Sequence, residues 1–164
     1  MINIVLCITL LIILFIVKSY VYIKLFYFKD KLENMEYIYN DGGRSQYYKA
    51  ERVGDCVCRA IAIATQKDYK EVYKTIKEVT KENPRNGLSK RAMKKICEYY
   101  GGVWVATMKI GSGCKVHLSE DELPNGRLVC NLSRHATCVI DGVINDTYDC
   151  SRDGKRCVYG YWKF

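Results

Sequence analysis

No two of the nine cysteines form a C-x-x-C pair, and that absence excludes the common zinc modules, whose thiolate ligands come in closely spaced sets. The odd number also fails to make a complete disulfide framework. Past the first apolar segment there is no internal repeat and no low-complexity tract, which excludes solenoids and disordered linkers. Apolar residues at 49% and charged residues at 27% are ordinary for a packed domain and argue against disorder. A length of 164 residues leaves room for one such domain once the N-terminal stretch is set aside.

Charge is missing altogether from Ile2 to Val17, and after Lys18 the apolar character resumes through Val21, Tyr22 and Ile23. No basic residue precedes this run and no small-residue cleavage site follows it, so a cleaved secretory signal is not the expectation. A bilayer core needs roughly 20 residues of helix, which residues 2–23 supply. Lys18, Lys24, Lys29 and Lys31 all follow the span, and Tyr20, Tyr22, Phe26, Tyr27 and Phe28 stand where an interfacial belt would lie. The expectation is a single-pass membrane anchor and juxtamembrane segment over 1–34, with a domain over 35–164 on the cytoplasmic face. In that reducing setting the thiols are expected to stay free, most of them as small buried residues. Met35 also opens a stretch that reads as a domain start.

The rest of the chain predicts an α+β domain, helices first and an antiparallel sheet after. Val57 through Ala64 is apolar on almost every side apart from Arg59, as a central buried helix requires. Tyr69, Val72, Tyr73, Ile76, Val79 and Thr80 recur at three and four behind an Asp68/Glu71 capping pair. Ser89 caps a third helix with Ala92, Met93, Ile96, Cys97 and Tyr100 on its inner face, and Gly101-Gly102 stops it. From Gly102 onward come the short runs V-W-V-A-T-M-K-I, R-L-V-C-N-L, H-A-T-C-V-I, V-I-N-D-T-Y and R-C-V-Y-G-Y-W, separated by turn residues.

Chemistry concentrates in two places. In G-D-C-V-C-R-A-I, Gly54 allows a sharp turn and Asp55 reads as an N-cap, so Cys56 falls in the first helical turn. The free amide dipoles there stabilise a thiolate. Cys58 faces another side of the helix and reads as core. In S-R-H-A-T-C-V-I-D-G-V-I-N-D-T-Y-D, Asp141-Gly142 calls for a two-residue type I′ turn, which sets Ile140 opposite Val143 and His135 opposite Tyr148. His135 and Asp146 then share a face on a diagonal that long polar side chains can bridge. A carboxylate beside an imidazole fixes its tautomer and supports the imidazolium. Asn145 points to the opposite face, so Asp146 is the preferred orienting group and Asn145 only a supporting one. His117 stands on a polar connection and reads as a surface residue.

A cysteine at the start of a buried helix, a histidine on a strand and Asp or Asn on the adjoining strand together resemble the papain-like superfamily of cysteine peptidases in its compact bacterial and viral forms. Y-N-D-G-G-R at Tyr39 to Arg44 followed by G-D-C-V-C-R-A-I-A-I-A-T strengthens the likeness to small phage-type proteins of that kind, over most of residues 35–164. C-x-x-R-A at Cys56 to Ala60 is more weakly similar to ovarian-tumour-type deubiquitinases, which place their aspartate earlier before the cysteine than Asp55 stands here. The resemblance implies a papain-like fold and hydrolysis of an amide or isopeptide bond in a peptide or protein substrate, by Cys56, His135 and Asp146. It implies no metal and no cofactor. The chain departs from the papain pattern in lacking Gly-Ser-Cys-Trp around the nucleophile and a glutamine just upstream, which leaves Gln46 or Arg52 as candidates for the second oxyanion donor beside the Cys56 N–H.

Charge offers rival readings. The formal balance is +8, and Lys67 to Glu98 holds ten Lys or Arg against five Asp or Glu. That face could meet the anionic leaflet. Nucleic acid is not the expected partner, because no recognisable binding motif accompanies the charge. A papain-like fold that has lost activity and serves only in binding is a further alternative.

Overall fold

The computed structural model describes residues 12–25, 35–49 and 53–164, in a chain that divides into two compact units, Met1–Asn34 and Met35–Phe164. In the first unit, residues 12–25 form a helix, α1, with Ile13, Phe15, Tyr22 and Ile23 exposed. Among the described residues no helix is long and apolar enough to cross a membrane. Residues 2–11 of the expected span lie outside the described residues.

The second unit is α+β. Three helices, α2 (Cys56–Thr65), α3 (Tyr69–Thr80) and α4 (Lys90–Tyr99), precede most of a six-stranded sheet. Its strands are β1 (Glu36–Tyr39), β2 (Val103–Ala106), β3 (Arg127–Leu132), β4 (His135–Ile140), β5 (Val143–Asp146) and β6 (Gly160–Lys163), in the spatial order β1-β5-β4-β3-β6-β2. The sheet is mixed, not purely antiparallel, because β1 runs parallel to β5 with Tyr39 beside Asp146. Such a four-residue edge strand carries too little pattern of its own to announce itself. The run after Gly102 keeps strand geometry only to Ala106, and the last run only from Gly160.

Local signals explain the three helix starts unequally. Asp68 Oδ1 accepts from the amides of Lys70 and Glu71 as a cap should, while the Glu71 side chain turns to Lys67 at 3.0 Å. Ser89 Oγ accepts from the Ala92 amide at 3.1 Å. Ser89→Ala is expected to cost about 1 kcal/mol, read as a lower urea midpoint at unchanged slope; an unmoved midpoint would show that the cap is redundant. Asp55 stands at the N-cap position of α2, yet its side chain caps nothing. It is diverted to an ion-pair cluster described below.

The sheet packs apolar side chains on both faces. Ile61, Tyr69, Val72, Ile76, Ile96, Val129, Cys138 and Trp162 belong to the cluster shared with the helices. Leu118, Leu128, Val139, Ile144 and Val158 belong to the other. Each fully buried aliphatic side chain contributes about 1.5–3 kcal/mol, and α2, nearly all apolar, sits at the centre of the first cluster. Two thiols expected to be free are joined instead: Cys114 and Cys157 form a disulfide across a Cα separation of 5.8 Å. The bridge pairing of His117 with Cys157 brings the two segments alongside each other. The remaining cysteines among the described residues are free, and all but Cys56 are buried.

Candidate active site

Asp141 and Gly142 both hold positive φ, at 47° and 81°, which a type I′ turn demands. The turn sets Ile140 opposite Val143 and Cys138 opposite Asn145. Continued down the hairpin, this register brings His135 and Asp146 together on a diagonal, with His135 Nε2 2.7 Å from Asp146 Oδ2. The imidazole also stacks against Tyr148, with ring centroids 5.2 Å apart. Asn145 turns away, accepting from Asn40 Nδ2 at 3.1 Å and donating to the Val143 carbonyl.

Cys56 opens α2 and meets the start of β4. Burial pushes its thiol up, but a hydrogen bond with His135, the charge of that ring, the Ala136 backbone N–H and Arg59 outweigh burial and hold it below the ordinary range. Among the described residues Cys150 also meets His135, but only Cys56 is held down by the imidazole, the Ala136 N–H and Arg59 together. Burial drives Cys58, Cys97 and Cys130 well up and Cys138 up to about 12. Burial alone would lower His135, yet hydrogen bonds with Asp146, Cys150 and Cys56 raise it to about 12. Asp146 is held below the usual carboxylate range: burial opposes ionisation, and the bond and charge of His135 with the Thr147 N–H prevail. The Cys56 thiol, the His135 imidazole and the Asp146 carboxylate therefore stand in sequence.

Behind them lies an ion-pair network centred on Asp55. Its carboxylate is fully buried and meets Arg44 Nε at 2.8 Å, the Arg59 guanidinium, and the Tyr69 hydroxyl, which donates at 2.6 Å. Arg59 reaches on to Asp146 Oδ1 at 3.5 Å. Two guanidiniums, Arg44 and Arg59, converge on the Asp55 carboxylate, and Arg59 joins it to Asp146. Asp55 is thus a support for the site, by a route other than capping.

The Y-N-D-G-G-R motif delivers Arg44 to this network. Asn40 Oδ1 accepts from the Gly42 amide at 2.9 Å, and Asp41 accepts from Gly43 and Ser45. Gly42 sits at φ +64° with a would-be Cβ 3.1 Å from the Arg59 carbonyl, so the turn lies directly on α2. Gly54 serves close approach and not a turn. Its amide donates to the Arg85 carbonyl at 2.8 Å, and a Cβ there would fall 2.8 Å from the Gly87 nitrogen.

Gln46 is exposed on the turn Arg44–Gln46, with no hydrogen bond to Cys56, His135 or Asp146 among the described residues, and Arg52 lies outside them. His117 is half-buried and engages Glu122 at 3.2 Å, so it is a paired residue rather than a free surface one. No motif singles out Cys150, although its sulfur, His135 and Asp146 each place one potential metal ligand within 4.8 Å of the others. At 2.7 Å, His135 Nε2 and Asp146 Oδ2 are closer than the about 3.3 Å that separates two N/O ligands of one tetrahedral zinc. That contact is a hydrogen bond.

No protein-family model, curated protein or solved structure matches this chain.

Proposed function

We propose that the domain is a cysteine-dependent hydrolase of amide or isopeptide bonds with a papain-like arrangement, and that its substrate is a peptide or protein. The observation that carries this reading is the imidazole of His135, bonded through Nε2 to Asp146 and hydrogen-bonded to Cys56, whose thiol is held below its ordinary range. Structural cysteines have no need of such a partner.

The Cys56 thiolate attacks the substrate carbonyl carbon, and the carbonyl oxygen takes the negative charge, facing the Cys56 N–H at the positive end of α2. His135 gives its proton to the leaving nitrogen as the C–N bond breaks, which leaves a thioester. Neutral His135 then takes a proton from water while the water oxygen attacks the thioester; the C–S bond breaks, the acid product departs, and thiolate and imidazolium are restored. With Nε2–H committed to Asp146, the travelling proton is carried on Nδ1. Asp146 and, through it, Arg59 are positioning residues: they hold the ring and never meet substrate.

Residues 2–23 would tether the domain to a membrane, with the domain on the side of Lys18 and Lys24, close enough to an anionic leaflet for the lysines of α3 and α4 to meet it. Profiling the full chain against peptide, isopeptide and ubiquitin-like substrates tests the chemistry. Turnover that disappears in Cys56→Ala is the expected result; equal turnover in that variant, or none on any class beside unselective labelling of all the cysteines, would defeat it.

A further inference from the structure

Two depressions share Lys90 and Asn131 in their linings. One, about 530 Å³, lies at the β3–β4 turn and also takes in Met108, Lys109, Ile110 and Arg134. The other, about 270 Å³, runs between α4 and the stacked rings of Trp104 and Trp162. Asn131 is the cross-strand partner of Ala136, whose N–H faces the Cys56 sulfur, and the next pair is Leu132 with His135. Through Asn131 the two depressions lie one strand pairing from the backbone N–H that meets Cys56.

Its lining is rich in donors and cations. Lys90, Lys109 and Arg134 line the larger depression with no acidic residue among them, and Glu98 in the smaller one lies 3.7 Å from Lys94. The Trp162 indole N–H is buried without a hydrogen-bond partner, on a residue only 4% exposed. Met108, Ile110 and Trp104 add apolar surface between these polar points, the mixture that an extended peptide with acidic side chains satisfies.

We infer that this groove binds an acidic, extended peptide segment of the substrate and leads it to Cys56. The inference rests on the thiol-hydrolase reading and names the substrate class of that site. A nucleic acid would also meet cations and aromatics, but a carbonyl at the reactive end favours a peptide.

Two peptide vinyl sulfones test it on the full chain, one with Glu-Glu-Leu-Gly before the electrophile and one with Lys-Lys-Leu-Gly. The rate of Cys56 adduct formation is followed by mass spectrometry. At low salt the Glu probe is expected to react about tenfold faster than the Lys probe, and the advantage should shrink toward unity in high salt and in Lys109→Glu/Arg134→Glu. Iodoacetamide, small and neutral, should label Cys56 equally in both proteins. With that labelling intact, a Glu advantage that is absent or survives the double substitution overturns the groove and spares the thiol reading. If iodoacetamide shows no preference for Cys56, both readings fall. A uridine oligonucleotide that blocks the Glu probe more strongly than a poly-glutamate peptide of equal charge would assign the groove to nucleic acid and overturn the proposal.

Discussion

Replacing His135 with alanine is expected to slow iodoacetamide alkylation of Cys56 by about tenfold or more at pH 6. The protonated ring is the largest influence holding that thiol down; without it burial prevails and the thiol moves up. An ordinary thiol near pKa 8.5 is only about 0.3% thiolate at pH 6. The loss in rate is smaller than the loss in thiolate, because a more basic thiolate is the better nucleophile, with a Brønsted slope of about 0.4–0.5. The pH profile separates the causes. In the variant the rate should climb about tenfold per pH unit from 6 to 8, as free thiol ionises. In the parent the climb should be complete at lower pH, and because His135 holds its proton to about 12 the plateau should extend into the alkaline range. Coincident profiles for the two proteins would sink the ion pair.

The second large effect is on stability. Asp55→Ala should cost about 3–5 kcal/mol, because it leaves Arg44 and Arg59 buried without their shared carboxylate and the Tyr69 hydroxyl without its acceptor. Total stabilities of domains run to about 5–15 kcal/mol, so this single change takes a large part of the whole. Chemical denaturation gives the value directly. A loss under about 1 kcal/mol would mean that water replaces the carboxylate at no great expense and that the network is not a closed one. Asp55→Asn keeps the shape and one acceptor oxygen but removes the charge, so its shortfall relative to alanine separates packing from electrostatics.

The parts of the site that the sequence disclosed are those fixed by short-range rules. Asp141-Gly142 dictates a turn, the turn dictates register, and register alone brings His135 to Asp146. The buried character of α2 and the place of Cys56 at its start follow from eight consecutive residues. What was hidden depends on partners distant in the chain. Asp55 looked like a cap because its immediate neighbours permit that role; only Arg44, delivered by the turn after β1, and Tyr69, on the next helix, make it a buried counter-ion. Arg59 looked like a lone exception on an apolar helix until Asp146, 87 residues away, accounted for it. Cys150 follows a strand that ends at Asp146, and no periodicity marks its return to His135. The Cys114–Cys157 disulfide, 43 residues apart, is likewise beyond any local rule. The α+β character was legible because the helical and strand patterns occupy separate halves, whereas the parallel edge strand rests on a pairing that four residues cannot advertise.

The backbone lock between Gly54 and the 84–87 segment makes the address of the Cys56 thiol a property of two loops at once. A side chain grown at position 54 has nowhere to go but into the Gly87 peptide, so either the Pro84–Asn86 turn yields or the first turn of α2 does, and the sulfur moves with it. Mutational drift in that loop, though far from the thiol in the chain, is thereby tethered to the geometry of the proposed reaction, and a designer wishing to retune the thiol's position without touching Cys56, His135 or Asp146 would begin there.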